Sequence, residues 1–120
     1  MVYEEEFPGY KVSKEIVRLV KEGVLEDTSW KPDASPSFGT KLKDCNWIRI
    51  WTEHPNVGQR KGSVYRYSAF VQEDLRYEPS ETIVQTNDVY EAIMALRNVI
   101  ERRGIHRARF RLLGFCRDPR

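Results

Sequence analysis

Trp47-Ile48-Arg49-Ile50-Trp51-Thr52 is the stretch on which the fold turns. Its aromatic and β-branched content reads as a strand. Successive side chains of a strand point to opposite faces. Ile48 and Ile50 therefore share one face, and Trp47, Arg49 and Trp51 share the other. Ser63 to Gln72 is the longest strand expected, with Tyr65, Tyr67, Ala69 and Val71 opposing Val64, Arg66, Ser68 and Phe70. Near the C-terminus, Arg107, Arg109 and Arg111 alternate with Ala108, Phe110 and Leu112, so a strand over residues 105–113 would carry three guanidinium groups in a row, each about 7 Å from the next.

These strands agree on one arrangement. One face carries Ile48, Ile50, Ala69, Val71, Ala108, Phe110 and Leu112 and is covered by helices. The other carries Arg49, Arg66, Arg107, Arg109 and Arg111, with Trp47, Trp51 and Phe70 among them. Five arginines cannot line a dry core, because unpaired buried charge is too costly. That second face should be open to solvent or to a partner.

The helices flank these strands. Ile16, Leu19, Val20 and Val24 recur at helical spacing after Ser13, a residue suited to an N-cap. A second helix begins with Thr86 or Asn87 as its cap. Val89, Ala92, Ile93, Leu96 and Ile100 form its apolar stripe, Arg102 and Arg103 lie in its last turn, and Gly104 follows. Glu81 to Thr86 reads as a shorter strand. Met1 to Tyr10 reads as an arm or edge strand broken by Pro8-Gly9, and residues 26–46 as a long loop containing Trp30, Pro32, Pro36, Phe38 and Gly39. The expected element order is α-β-β-β-α-β: a two-layer α+β domain with a mainly antiparallel sheet of about four strands and two helices on one face.

The chain's 120 residues fit one domain, spanning 1–120. Hydrophobic content of 40% with 12% aromatics belongs to a globular protein. No apolar run approaches the roughly 18 residues of a membrane span. The acidic start lacks the layout of a signal peptide, which points to the cytoplasm. Cys45 and Cys116 show neither Cys-x-x-Cys nor histidine spacing, so two thiols are expected and no metal, with a disulfide only in an oxidising compartment. Net charge is only +2. Eight acids face five bases from Met1 to Ala34, whereas eight arginines face Glu101 and Asp118 from Arg97 onward. The ends carry opposite signs.

Arginine interleaved with aromatic rings on an open sheet suits a phosphate-bearing partner. Guanidinium forks pair with phosphate, and rings stack on bases. On this reading Arg49, Arg66, Arg107, Arg109 and Arg111 hold phosphate, assisted by Arg60 and Lys61, while Trp47, Trp51 and Phe70 stack. The expected function is a non-catalytic module that binds nucleic acid or a nucleotide-like ligand, without a cofactor. The alternative is a protein-interaction or homodimer face, since Trp, Tyr and Arg dominate interface hot spots. Arginines paired internally with Glu73, Glu81, Glu4 or Glu6 would leave either use without its charges. Catalysis has little to stand on: His54 and His106 are the only histidines, and no nucleophile motif or phosphate loop accompanies them.

Three strands followed by a helix, from Ile48 to Arg103, resemble in topology the arm-type DNA-binding domains of integrases. That resemblance implies use of the sheet face in a DNA groove. The order α-β-β-β-α also resembles double-stranded-RNA-binding domains. Those carry basic residues where this chain has Asn87-Asp88-Val89-Tyr90-Glu91.

Overall fold

In a computed structural model of the chain, residues 1–31, 33–73 and 79–106 are described. Helix α1 spans Val2–Glu6 and α2 spans Lys14–Lys21. Strands β1 (Glu26–Asp27), β2 (Ser37–Lys41), β3 (Trp47–Thr52), β4 (Tyr67–Gln72) and β5 (Pro79–Thr86) follow, then helix α3 (Val89–Arg103). The strands form one antiparallel meander in the order β1-β2-β3-β4-β5. Together with the helices this is an α+β fold, with one strand more than the sequence suggested.

The alternation read in Trp47–Thr52 is realised. Ile48 and Ile50 are fully buried, while Trp47, Arg49 and Trp51 are half-buried on the opposite face. Ile48 pairs with Val71 and Ile50 with Ala69 across β4, and Ile50 with Phe38 across β2. Helix α3 packs on β3, β4 and β5 through Ala92, Leu96 and Val99. Ile16 and Leu19 of α2 join the same hydrophobic cluster. We call this the inner face of the sheet and the other the outer face.

Several boundaries differ from expectation. The N-terminal arm is the short helix α1, tied to β1 by the Tyr3 amide, which donates to Asp27 Oδ2 at 2.9 Å. Tyr3 also sets its ring edge against Phe38, 5.8 Å between centroids. Part of the long loop at 26–46 is the β1–β2 pair. Its hydroxyl-rich sequence shows no alternation of apolar and polar residues. Ser37, Phe38, Gly39 and Thr40 are all buried, on both faces of β2. The link between β1 and β2 is held by its own side chains: Thr28 Oγ1 and Ser37 Oγ lie 2.7 Å apart, and the Ser37 amide donates to Ser29 Oγ at 3.2 Å.

Strand β4 begins at Tyr67, four residues later than expected, because residues 64–66 form bends. Strand β5 is longer than expected and twice shifts register against β4. Asp88 caps α3, accepting from the Tyr90 amide at 2.9 Å. Asn87, expected as a possible cap, instead accepts the Arg66 amide through Oδ1 at 2.9 Å. Gly104 ends α3 with φ of 75°, a conformation that favours glycine. Of the expected terminal strand, Ile105 forms an antiparallel bridge with Leu42; Arg107, Arg109 and Arg111 lie outside the described residues. Cys45, expected as a thiol, is disulfide-bonded. It sits at positive φ in the turn between β2 and β3, where its amide donates to the Leu42 carbonyl at 2.9 Å. Such a bond persists in oxidising surroundings. Among the described residues no helix is long and apolar enough to cross a membrane.

Candidate ligand pocket on the outer face of the sheet

The outer face is organised around Arg49. Its register partners are Gly39 on β2 and Phe70 on β4. A Cβ at position 39 would lie 2.6 Å from the Ile48 carbonyl oxygen and 2.7 Å from Arg49 Cγ. Glycine is therefore required there so that the arginine stem can lie across β2. The Arg49 guanidinium carbon sits 5.1 Å from the Trp47 ring centroid, a cation–π arrangement, and Nη1 points at Gln72 Oε1 at 3.5 Å. Trp47, Gln72 and Arg49 thus form one interlocked group at one end of the face.

Adjoining this group, and sharing Gln72 with it, lies a pocket of about 300 Å³. Its floor comes from the sheet: Trp51, Ser68, Phe70, Gln72 and Gln85. One wall comes from the β1–β2 connection, through Asp33, Ala34 and Ser35. The far end is closed by Glu53, Gly62 and Ser63. Trp51 pairs with Ser68, so Phe70 is its diagonal neighbour across β3 and β4, a separation of about 7–8 Å. Neither ring stacks on another described ring.

Two carboxylates serve the pocket in different ways. Glu53 is 3% exposed. Its oxygens accept the Lys61 amide at 3.2 Å and the Gly62 amide at 3.1 Å, so the turn at 60–62 is folded around it. A Cβ at Gly62 would sit 2.6 Å from Glu53 Oε2, which explains the glycine. Burial and then the Glu53 charge push the Tyr10 phenol above its usual range. Asp33 is held differently. Burial raises its carboxyl above the usual carboxylate range, and the nearby Arg49 charge only partly opposes that. No described group donates a hydrogen bond to its carboxylate.

The cationic and aromatic residues singled out from the sequence separate into four groups. Trp47, Arg49, Trp51 and Phe70 share the outer face. Arg60 and Arg66 do not join them. Arg60 is spent on the chain itself: Nε donates to the His54 carbonyl at 2.8 Å, Nη2 to the Pro55 carbonyl at 3.3 Å, and Nη1 to the Val64 carbonyl and Asn87 Oδ1. It staples the 54–64 turn. The Arg66 guanidinium donates to the Lys11 carbonyl and lies 5.4 Å from the Tyr67 ring centroid. Lys61 has an exposed side chain, and its backbone adjoins the pocket. Arg107, Arg109 and Arg111 fall outside the described residues. Glu81, considered as a partner for the arginine row, faces Arg103 Nη1 at 3.8 Å.

Sequence reasoning missed Asp33, Glu53 and the polar floor. Strand parity set Ser68 on the face of Phe70 without giving it a role, and Gln72 continues that alternation. Nothing local marks Asp33 or Glu53, since both reach the pocket from loops. No protein-family profile matches the sequence, and no curated protein or solved structure matches it either.

Proposed function

We propose that the protein is a non-catalytic binding module that takes a nucleotide, free or within a single strand of nucleic acid, on the outer face of its sheet. The base enters the pocket and stacks between Trp51 and Phe70. The phosphate stays at the rim, where Lys61 is exposed and Arg49 lies behind the aromatic floor. The observation that carries this reading is the pair of unstacked rings, diagonal across β3 and β4, over a pocket of about 300 Å³. That volume is at the small end of the range for ligand sites, so it suits one ring system and not an extended ligand. Base stacking on exposed rings supplies about 1–3 kcal/mol per base, and a sheet surface presenting such rings is a recurrent way to hold single strands. Arg60 and Arg66 are left out of the phosphate contacts because their guanidinium groups are engaged by backbone carbonyls.

Tryptophan fluorescence during titration with the four ribonucleoside monophosphates and with short single-stranded DNA and RNA, at low and high salt, tests the proposal. Quenching that saturates at low salt, weakens with salt and disappears in Trp51→Ala is the expected result. Absence of binding by every one of these ligands at low salt rejects it.

A further inference from the structure

The pocket's polar lining is richer in acceptors than a phosphate site needs, and this has a consequence for which base it takes. Asp33 is the decisive group. It lines the pocket, it is half-buried, and its carboxylate receives no hydrogen bond from any described residue. A carboxylate withdrawn from water without a donor carries a standing cost. Glu53 cannot play the same part so readily, since each of its oxygens already accepts a backbone amide. A group on the ligand that brings N–H donors to Asp33 would relieve that cost.

Resting on the nucleotide reading above, we propose that Asp33 selects the base by accepting two adjacent N–H donors of a guanine-type Watson–Crick edge while Trp51 and Phe70 hold the ring. A planar carboxylate has two oxygens that accept parallel N–H donors, as they do from arginine. Guanine offers a ring N–H beside an exocyclic amine. Hypoxanthine offers the ring N–H alone. Adenine's ring nitrogen at the same position is itself an acceptor and repels the carboxylate. The stacking contribution is common to all of them, so the difference among bases isolates the Asp33 contact. Sites built to hydrogen-bond a given donor reject analogues lacking it, because the partner is then left unpaired.

Binding of GMP, IMP and AMP to the wild-type protein and to Asp33→Asn, measured calorimetrically with circular dichroism to confirm folding, tests this. The expected order is GMP tighter than IMP, and IMP tighter than AMP, with GMP losing about tenfold to a hundredfold in Asp33→Asn while AMP changes little or gains. Equal affinity of the wild type for GMP and AMP, or unchanged GMP affinity in Asp33→Asn, overturns the assignment while leaving nucleotide binding standing. Failure of all three nucleotides to bind the wild type rejects the underlying function and this assignment with it. Should Asp33→Asn misfold, Asp33→Glu serves instead: a carboxylate displaced by one methylene is expected to keep the GMP-over-AMP order, and a reversal of that order counts against the proposal.

Discussion

The two faces of β3 and β4 are made by the same residues in alternation, yet they are built to opposite ends. The inner face is dry: Ile48, Ile50 and Ala69 are fully buried and Val71 nearly so, and α3 closes over them. The outer face keeps Trp47, Arg49, Trp51 and Phe70 half-exposed. On the inner face each side chain is used up by its neighbours. On the outer face two rings are left without a stacking partner, and one carboxylate without a hydrogen-bond donor, among the described residues. Stability is thus concentrated on one side of the strands, and the other side carries the proposed site.

Ile50→Ala strikes the inner face and carries the largest expected effect. Ile50 is fully buried between Phe38 and Ala69 in register, so truncation should cost about 2–5 kcal/mol, read as a lowered denaturation midpoint. A loss well under about 1 kcal/mol would mean that the core is not where we place it. Gly39→Ala tests the outer face through its backbone. The new methyl meets the Ile48 carbonyl and the Arg49 stem, so a loss of about 1–3 kcal/mol is expected. Gly39→Ala as stable as wild type would show that Arg49 does not need to cross β2.

Trp51→Ala sharpens the contrast. Its ring makes no stacking contact with a described residue, so its denaturation midpoint should move far less than that of Ile50→Ala. Nucleotide affinity should fall by about 1–3 kcal/mol. If instead stability collapses and affinity persists, the two faces have been assigned the wrong roles.

The smallest effect lies behind the inner face, where α2 and α3 are tied together. Tyr90 Oη donates to Glu15 Oε2 at 2.9 Å. That bond, followed by the backbone and the Lys14 and Arg18 charges, holds the Glu15 carboxyl below its ordinary 4.5. A carboxyl with a lowered pKa in the folded state stabilises above its unfolded value and loses that contribution as pH falls through the folded one. Tyr90→Phe should therefore melt slightly below wild type near neutral pH and match it in acid. A gap that widens on acidification contradicts the sign. Because the pair is exposed, the difference should be small.

How much of this was legible in the sequence depends on how local the signal is. Strand β3 and helix α3 were readable because each repeats one period cleanly, and burial follows that period. Strand β2 was not readable. Ser37-Phe38-Gly39-Thr40 is buried on both faces, so it lacks alternation, and its glycine exists for a residue ten positions away in sequence. Arg49 with its aromatic neighbours was legible by parity. Arg60 was not: its charge suggested a ligand, and only the folded turn reveals the carbonyls it serves.

By itself, the order of apolar and polar residues determined the α+β class, the inner face and the outward aim of Trp47, Arg49 and Trp51, because side-chain direction in a strand is set by the backbone one residue at a time. Tertiary structure alone decided which charges remain available and where the pocket lies. Asp33 and Glu53 stand twenty residues apart in sequence and meet at one cavity only because β2 and β3 pair and the loops at either end fold over the outer face. A charge's partners are fixed by distance in space, and no local periodicity records that distance.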